Sequence, residues 1–259
     1  MIVSESQWQK KNKAIIITGA NGNVGSYFAR KFLESDENLI LLIHKSEQRL
    51  QSLQQKFTGN LRIIKVDLTD ISLLQNKLSK VVEETGWQPD RLIHTATKRS
   101  HDFKPLADTD PELWKQIVLM NLVGAFNILK CVLPFFRKNE YGKIVLFGSN
   151  VTRIGLPKGS AYSAAKAGIA NISRTLAAEE AKNNIIINTV SPGPIKIDDS
   201  QFSESYRKFR EEYYNEKIRD IPLKRCASFD DLLGLCKFLL SKENSYITGE
   251  EFFITGGKI

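Results

Sequence analysis

The chain has 259 residues, 42% of them hydrophobic and 25% charged, with a formal net charge of +8. That length is ample for one α/β domain with a large core, and the composition excludes a disordered or fibrous chain. The positive charge is not gathered into a Lys/Arg block interleaved with aromatics, so nucleic-acid binding is not indicated.

Cys131, Cys226 and Cys236 form no metal-spaced pair and read as reduced thiols. Residues 1–13 are polar and hold no apolar core of signal-peptide length. The longest apolar runs, such as residues 39–43, are strand-sized and far short of a bilayer span. The expectation is a cytoplasmic protein with no membrane element.

Residues 14–17 are a short apolar run that reads as a buried parallel strand. It feeds the turn Thr18-Gly19-Ala20-Asn21-Gly22-Asn23-Val24-Gly25, after which residues 26–33 have helical spacing. Glycines at a strand-to-helix turn let the backbone approach a pyrophosphate, and the helix N-terminus supplies N–H donors. A plain tight turn would carry the same letters, so this stretch alone is weak.

Residues 39–43 form the second predicted strand, followed by His44-Lys45-Ser46. In dinucleotide folds an acid near this point binds the ribose hydroxyls of NAD, and a base suits the 2′-phosphate of NADP. The acid is missing here, which favours NADP with Lys45 as its contact. Residues 47–57 look helical, 61–66 form a third strand, and Asp67-Leu68 follow it where a side chain reaches an adenine edge. Asp67 could equally cap the helix predicted over residues 71–84. Residues 91–93 lead into His94-Thr95-Ala96-Thr97; His94 reads as a hydrogen-bonded structural residue, because no second His or Cys lies at ligand spacing.

Residues 111–136 read as one long helix or two abutting ones, with Asn121 among apolar neighbours. A polar amide there needs partners: a helix carbonyl, or a water near a functional group. Residues 143–147 are the fifth strand, and Ser149 lies just past its carboxyl end, the edge where open α/β sheets bind ligands. Tyr162-Ser-Ala-Ala-Lys166 then opens a helix lined with alanines and a glycine. Positions four apart share a helix face, so the Tyr162 phenol and the Lys166 ammonium project together. A close ammonium favours phenolate over the ordinary phenol, whose pKa is about 10, and so suits proton exchange with an alcohol oxygen. The small residues of that helix permit close approach of the sheet or of a second subunit.

Residues 185–190 form a sixth strand, ended by Ser191-Pro192-Gly193-Pro194. Residues 196–225 turn charged and aromatic and read as a helical insertion over the site, a lid. Residues 232–240 and 251–254 complete a core helix and a last strand. The alternation predicts a Rossmann-type, doubly wound parallel sheet of about seven strands with helices on both faces, in a single domain spanning residues 1–259.

Taken jointly, these motifs resemble the short-chain dehydrogenase/reductase family over nearly the whole chain after residue 13. The residues that carry the resemblance are Thr18-Gly19 through Gly25, Asp67-Leu68, Asn121, Ser149, Tyr162 with Lys166, Asn188, Pro192-Gly193 and Tyr246-Ile-Thr-Gly249. Ser149 stands thirteen positions before Tyr162, the spacing usual in the family. The resemblance implies that Tyr162 is the general acid or base, that Ser149 polarises the substrate oxygen, and that Lys166 supports Tyr162 and binds the nicotinamide ribose. Asn121 would hold a relay water. Gly19, Asn21, Asn23, Val24 and Gly25 would cradle the pyrophosphate; Lys45, Asp67 and Leu68 would line the adenosine side; Ala96 would also contact the cofactor; Pro192, Gly193 and Ile195 would flank the nicotinamide. No metal is implied.

The tail is most similar to 3-oxoacyl-carrier-protein reductases, which implies NADPH, a small carbonyl or alcohol substrate with acyl thioesters among the candidates, and a homodimer or homotetramer. Three positions depart from that pattern. The glycines at 19, 22 and 25 are spaced as in an epimerase-like branch, His94-Thr95-Ala96-Thr97 replaces Asn-Asn-Ala-Gly, and Ala178 stands where carrier-dependent members commonly have Arg. An epimerase or dehydratase and a non-catalytic NADP-binding regulator therefore stay open beside the reductase.

Overall fold

The computed structural model describes residues 12–98, 103–197 and 203–258. The polar residues 1–13 lie almost entirely outside these, as do residues 198–202 of the predicted lid.

Seven strands, β1 (Lys13–Thr18), β2 (Asn38–Ile43), β3 (Leu61–Lys65), β4 (Gln88–His94), β5 (Gly142–Phe147), β6 (Ile185–Pro192) and β7 (Glu251–Ile254), form one parallel sheet. Their order is β3-β2-β1-β4-β5-β6-β7, with every neighbouring pair parallel. The chain reverses direction across the sheet between β1 and β4. That reversal opens a crevice at the carboxyl ends of the strands, where such folds bind ligands. The predicted architecture holds.

Helices cover both faces: α1 (Asn23–Leu33), α2 (Gln51–Lys56), α3 (Ile71–Thr85), α4 (Pro111–Val118), α5 (Gly124–Lys138), a short turn α6 (Val151–Ile154), α7 (Ser160–Glu180), α8 (Glu204–Arg219) and α9 (Phe229–Leu240). Successive strand residues point to opposite faces, so each apolar run feeds two cores. Ala14, Ile16, Ile40, Leu42, Leu92, Ile144 and Leu146 pack with Leu78 of α3, Phe136 of α5 and Ile169 of α7. Ile15, Ile17, Leu39, Leu41, Ile93 and Val145 pack with Phe28 of α1 and Leu232 and Leu239 of α9. Each such side chain, taken from water, contributes about 1.5–3 kcal/mol before the entropy of ordering.

Local chemistry sets the helix ends. Asp70 caps α3 by accepting from the Leu73 N–H at 2.9 Å, so the cap is Asp70 and not Asp67. Asp110 caps α4, with Pro111 in its first turn, where a missing N–H costs nothing. Ser228 and Asp231 form a reciprocal capping box at α9. Among the described residues of the lid expected over 196–225 lies the helix α8, capped by Ser203.

The long apolar segment resolves into two α-helices joined by a π-helical turn, Leu119–Val123, that contains Asn121. Together they make a 28-residue helix, Pro111–Lys138, long and apolar enough to cross a bilayer by length and composition. Half of its apolar window is buried inside the protein, against α3, α7 and the sheet, as in a core helix. Part of the small-residue face of α7 packs within the chain, while Ala164 and Ala167 are exposed. A Cβ added at Gly168 would meet Leu122 Cδ1 at 2.8 Å, and Ala165, Ile169 and Ala170 are buried.

Candidate active site

The crevice begins at the turn after β1. Gly19 has φ +64°, and a Cβ there would meet the Ala96 backbone at 2.7 Å. A Cβ at Gly25 would strike the Gly19 carbonyl oxygen. Glycine is therefore required twice, once for the left-handed backbone and once for close packing of α1 on the turn. Gly22 caps α1 without a side chain, and its first turn holds no acid. The helix N-terminus is thus bare N–H donors and positive potential, and this cradle fits a dinucleotide pyrophosphate.

Asn21 is not aimed at that cradle. Its Oδ1 accepts from the Arg49 N–H at 2.9 Å, and its carbonyl accepts from Arg49 Nη1 at 3.3 Å. The side chain joins the turn to the segment after β2 and leaves the pyrophosphate to backbone N–H groups. Arg49, like His44 and Lys45 of the same segment, is exposed. Asp67 accepts from Thr69 N at 2.9 Å and Thr69 Oγ1 at 2.8 Å, and lies 3.5 Å from His44 Nε2. The Thr69 N–H above all holds its carboxyl below the usual range. Leu68 is fixed by its carbonyl, which accepts from Asn127 Nδ2 at 2.8 Å.

His94 closes β4 fully buried, with Nδ1 2.8 Å from Thr18 Oγ1. The structural role expected for it is present. The Asn121 amide, also fully buried, makes four hydrogen bonds. Nδ2 donates to Ile117 O at 2.8 Å and Lys98 O at 2.7 Å; Oδ1 accepts from Thr97 Oγ1 at 2.8 Å and Lys98 N at 3.0 Å. All four positions of the amide are used, so its side chain has none left for the relay water assigned to it. Instead it clamps the loop after β4 to the π-turn.

Ser149 follows β5, half-buried, and its Oγ accepts from Val151 N at 3.4 Å. Lys166 is 2% exposed, and its Nζ donates to the Phe147 carbonyl at 2.7 Å. The same Nζ lies 5.6 Å from the centroid of the Tyr162 ring, which is half-buried. The strand end that presents Ser149 therefore also anchors Lys166, one helical turn after Tyr162. Gly193 N donates to Ile254 O at 2.9 Å, Asn150 N donates to Pro192 O at 3.1 Å, and Ile195 bridges to Ala227. The Pro192–Ile195 stretch is held between the ends of β5 and β7 beside Ser149.

The family model described as enoyl-(acyl carrier protein) reductase matches residues 19–258. The chain belongs to the short-chain dehydrogenase/reductase family. It is 31% identical to the oxidoreductase UcpA of Salmonella typhimurium over 95% of this chain and 94% of that protein. It is 28% identical to the 3-oxoacyl-[acyl-carrier-protein] reductase FabG of Escherichia coli over 95% of this chain and 97% of that protein. A solved structure of ElxO with NADP bound has the same fold, with a TM-score of 0.85 at 24% identity over 95% of this chain and 98% of that one.

As a short-chain dehydrogenase/reductase the protein is an oxidoreductase, and the cofactor of the family is a nicotinamide dinucleotide, NAD(P). Among the described residues no group of three or more His, Cys, Asp or Glu side chains is gathered as a metal ion would require. Two members of the site escaped the sequence reading. Arg49 could have been found only by knowing that Asn21 turns toward it. Glu251 of β7 accepts from Thr152 Oγ1 at 2.7 Å and Ser191 Oγ at 2.6 Å, tying the ends of β6 and β7 to the loop after Ser149.

Proposed function

We propose that this short-chain dehydrogenase/reductase is an NADPH-dependent carbonyl reductase that interconverts a carbonyl and a secondary alcohol. One observation carries the reading: Lys166 is buried, anchored to the β5 carboxyl end two residues before Ser149, with Tyr162 on its own helix face. When bound, the nicotinamide supplies the hydride. Ser149 hydrogen-bonds the substrate oxygen and polarises it. Tyr162 gives that oxygen its proton, and the Lys166 ammonium beside it favours the phenolate left behind. Gly19, Gly25 and the N-terminus of α1 hold the pyrophosphate; Pro192, Gly193 and Ile195 line the nicotinamide end.

NADPH is preferred because His44-Lys45-Ser46, directly after β2, hold no acid, the same segment carries the cations Lys45 and Arg49, and Asp67 is occupied by Thr69. The curated relative FabG, named for 3-oxoacyl-[acyl-carrier-protein] reduction, supports a 3-oxoacyl thioester as the first substrate to test. Leu119, Val123 and Phe126, all exposed on one side of the long helix, suit burial in a homodimer or homotetramer.

The test is NADPH oxidation with ketones, 3-oxoacyl thioesters and enoyl thioesters, each repeated with Tyr162→Phe. Turnover of an oxo substrate that disappears in the variant supports the reading. Cofactor binding without turnover of any substrate would favour the regulatory alternative.

A further inference from the structure

Glutamate is depleted in strands, and a carboxylate with only 8% of its side chain exposed requires partners. Glu251 stands in β7, opposite Thr189 of β6. Its neighbours Phe252 and Ile254 pack into the core of α1 and α9, so Glu251 and Phe253 turn to the other face of the sheet, the face that α7 covers. There Glu251 Oε1 accepts from Ser191 Oγ at 2.6 Å and from Thr152 Oγ1 at 2.7 Å, and Oε2 accepts from Arg174 Nη2 of α7 at 3.1 Å. Two residues along, the Arg153 guanidinium lies 4.1 Å from the centroid of the Phe253 ring. One face of β7 thus grips two consecutive residues of the turn α6. That turn aims Ser149. Thr152 N and Thr152 Oγ1 approach the Ser149 carbonyl at 3.1 and 2.9 Å, and Val151 N donates to Ser149 Oγ at 3.4 Å. A serine oxygen that accepts from Val151 keeps its own proton for an incoming oxygen. A single helical turn without a side-chain cap has little stability of its own, so the direction of that hydroxyl depends on what holds α6. The one Thr152 hydroxyl proton has two acceptors in reach, and the Glu251 carboxylate is the nearer and the stronger.

We propose that Glu251 is a positioning residue for Ser149: its carboxylate holds the α6 turn through Thr152, and through Arg174 keys that turn to the helix that carries Tyr162 and Lys166. The inference rests on the reductase reading above, in which Ser149 donates to the substrate oxygen. Lys166 ties α7 to the chain two residues before Ser149, and Glu251 makes a second tie three residues after it. The serine and the phenol are thereby fixed to one another from both sides of Ser149. No bond is made or broken at Glu251. Its effect reaches the reaction through Ser149 and should vanish when the Ser149 hydroxyl is removed.

Glu251→Leu removes both acceptor oxygens at similar size. Glu251→Gln keeps one oxygen for the two hydroxyls, while Arg174, with 54% of its side chain exposed, turns to water. With the best oxo substrate, Glu251→Leu should lower kcat about tenfold and leave NADPH affinity within about twofold. The Gln variant should recover most of that loss, and Thr152→Val, which deletes the hydroxyl at constant shape, should repeat it. The deciding comparison is made in a Ser149→Ala background, where Glu251→Leu and Thr152→Val should each cost less than about twofold more. A full further loss in that background, or unchanged kcat in Thr152→Val or in a folded Glu251→Leu, would overturn the proposal. Amide hydrogen exchange read by mass spectrometry follows residues 149–155 without any substrate. Exchange there should be faster in both variants than in the wild type, and unchanged exchange would also overturn the proposal. Should Glu251→Leu fail to fold, Thr152→Val carries both measurements. Absence of carbonyl reduction by the wild type would sink the reductase reading and leave hydrogen exchange to decide whether Glu251 holds the turn.

Discussion

The Lys166 ammonium donates to the Phe147 carbonyl at 2.7 Å, and Ser149 stands two residues further along the same backbone. One lysine therefore fixes α7 to the strand end that carries the second polar group of the site. Lys166→Met should keep the fold and abolish this link. We expect kcat to fall by about two orders of magnitude or more, with weaker cofactor binding. Steady-state kinetics together with circular dichroism would check it; a folded Met variant with near wild-type kcat would contradict it.

Cofactor choice depends on charges around the β2 end. Lys45→Ala and Arg49→Gln should each weaken NADPH by about tenfold, roughly the worth of one charge-assisted hydrogen bond, and leave NADH almost unchanged. Fluorescence titration with both cofactors measures the ratio. Equal loss for both would remove these two cations from the 2′-phosphate.

The turn after β1 predicts a different failure. Gly19→Ala places a Cβ 2.7 Å from the Ala96 backbone at a φ of +64°. Backbone strain of that kind costs roughly 1–3 kcal/mol, so the urea midpoint should drop along with dinucleotide affinity. An alanine variant as stable as wild type would mean that the turn is looser than its geometry implies.

Most of the fold was legible because parallel strands buried on both faces read as short apolar runs, and residues 14–17 and 39–43 could hardly be anything else. The Ser149, Tyr162 and Lys166 set was legible because its chemistry is written in spacing along one strand end and one helix. Side-chain direction was not legible. Asn21 was read as ligand-facing and Asn121 as bonding either a helix carbonyl or a water; Asn21 turns to Arg49, and Asn121 bonds the Ile117 carbonyl of its own helix and also Thr97 and Lys98. Amides have four hydrogen-bonding positions, and which neighbours fill them is decided by tertiary approach. The π-turn around Asn121 was hidden for a related reason, since apolar periodicity does not distinguish it from α-helix.

Acid stability follows from the pair that supports α9. Asp231 accepts from Arg225 Nη1 at 2.6 Å and from Ser228 N at 2.7 Å, and these, the arginine first, hold its carboxyl well below the usual range. A depressed folded-state pKa stabilises above the unfolded value, about 3.9, and that contribution is lost as pH falls below it. Asp231→Asn should therefore be less stable than wild type at pH 7, with the gap narrowing as pH drops through about 4. Urea midpoints at a series of pH values check the sign; a gap independent of pH would contradict it.

The claim that a phenol on α7 delivers the proton is tested most directly by Tyr162→Phe with NADPH and the best oxo substrate. Deleting one oxygen should leave NADPH affinity within about twofold and cut kcat by about 10²- to 10⁴-fold. A Phe variant that binds NADPH and turns over at the wild-type rate would contradict it.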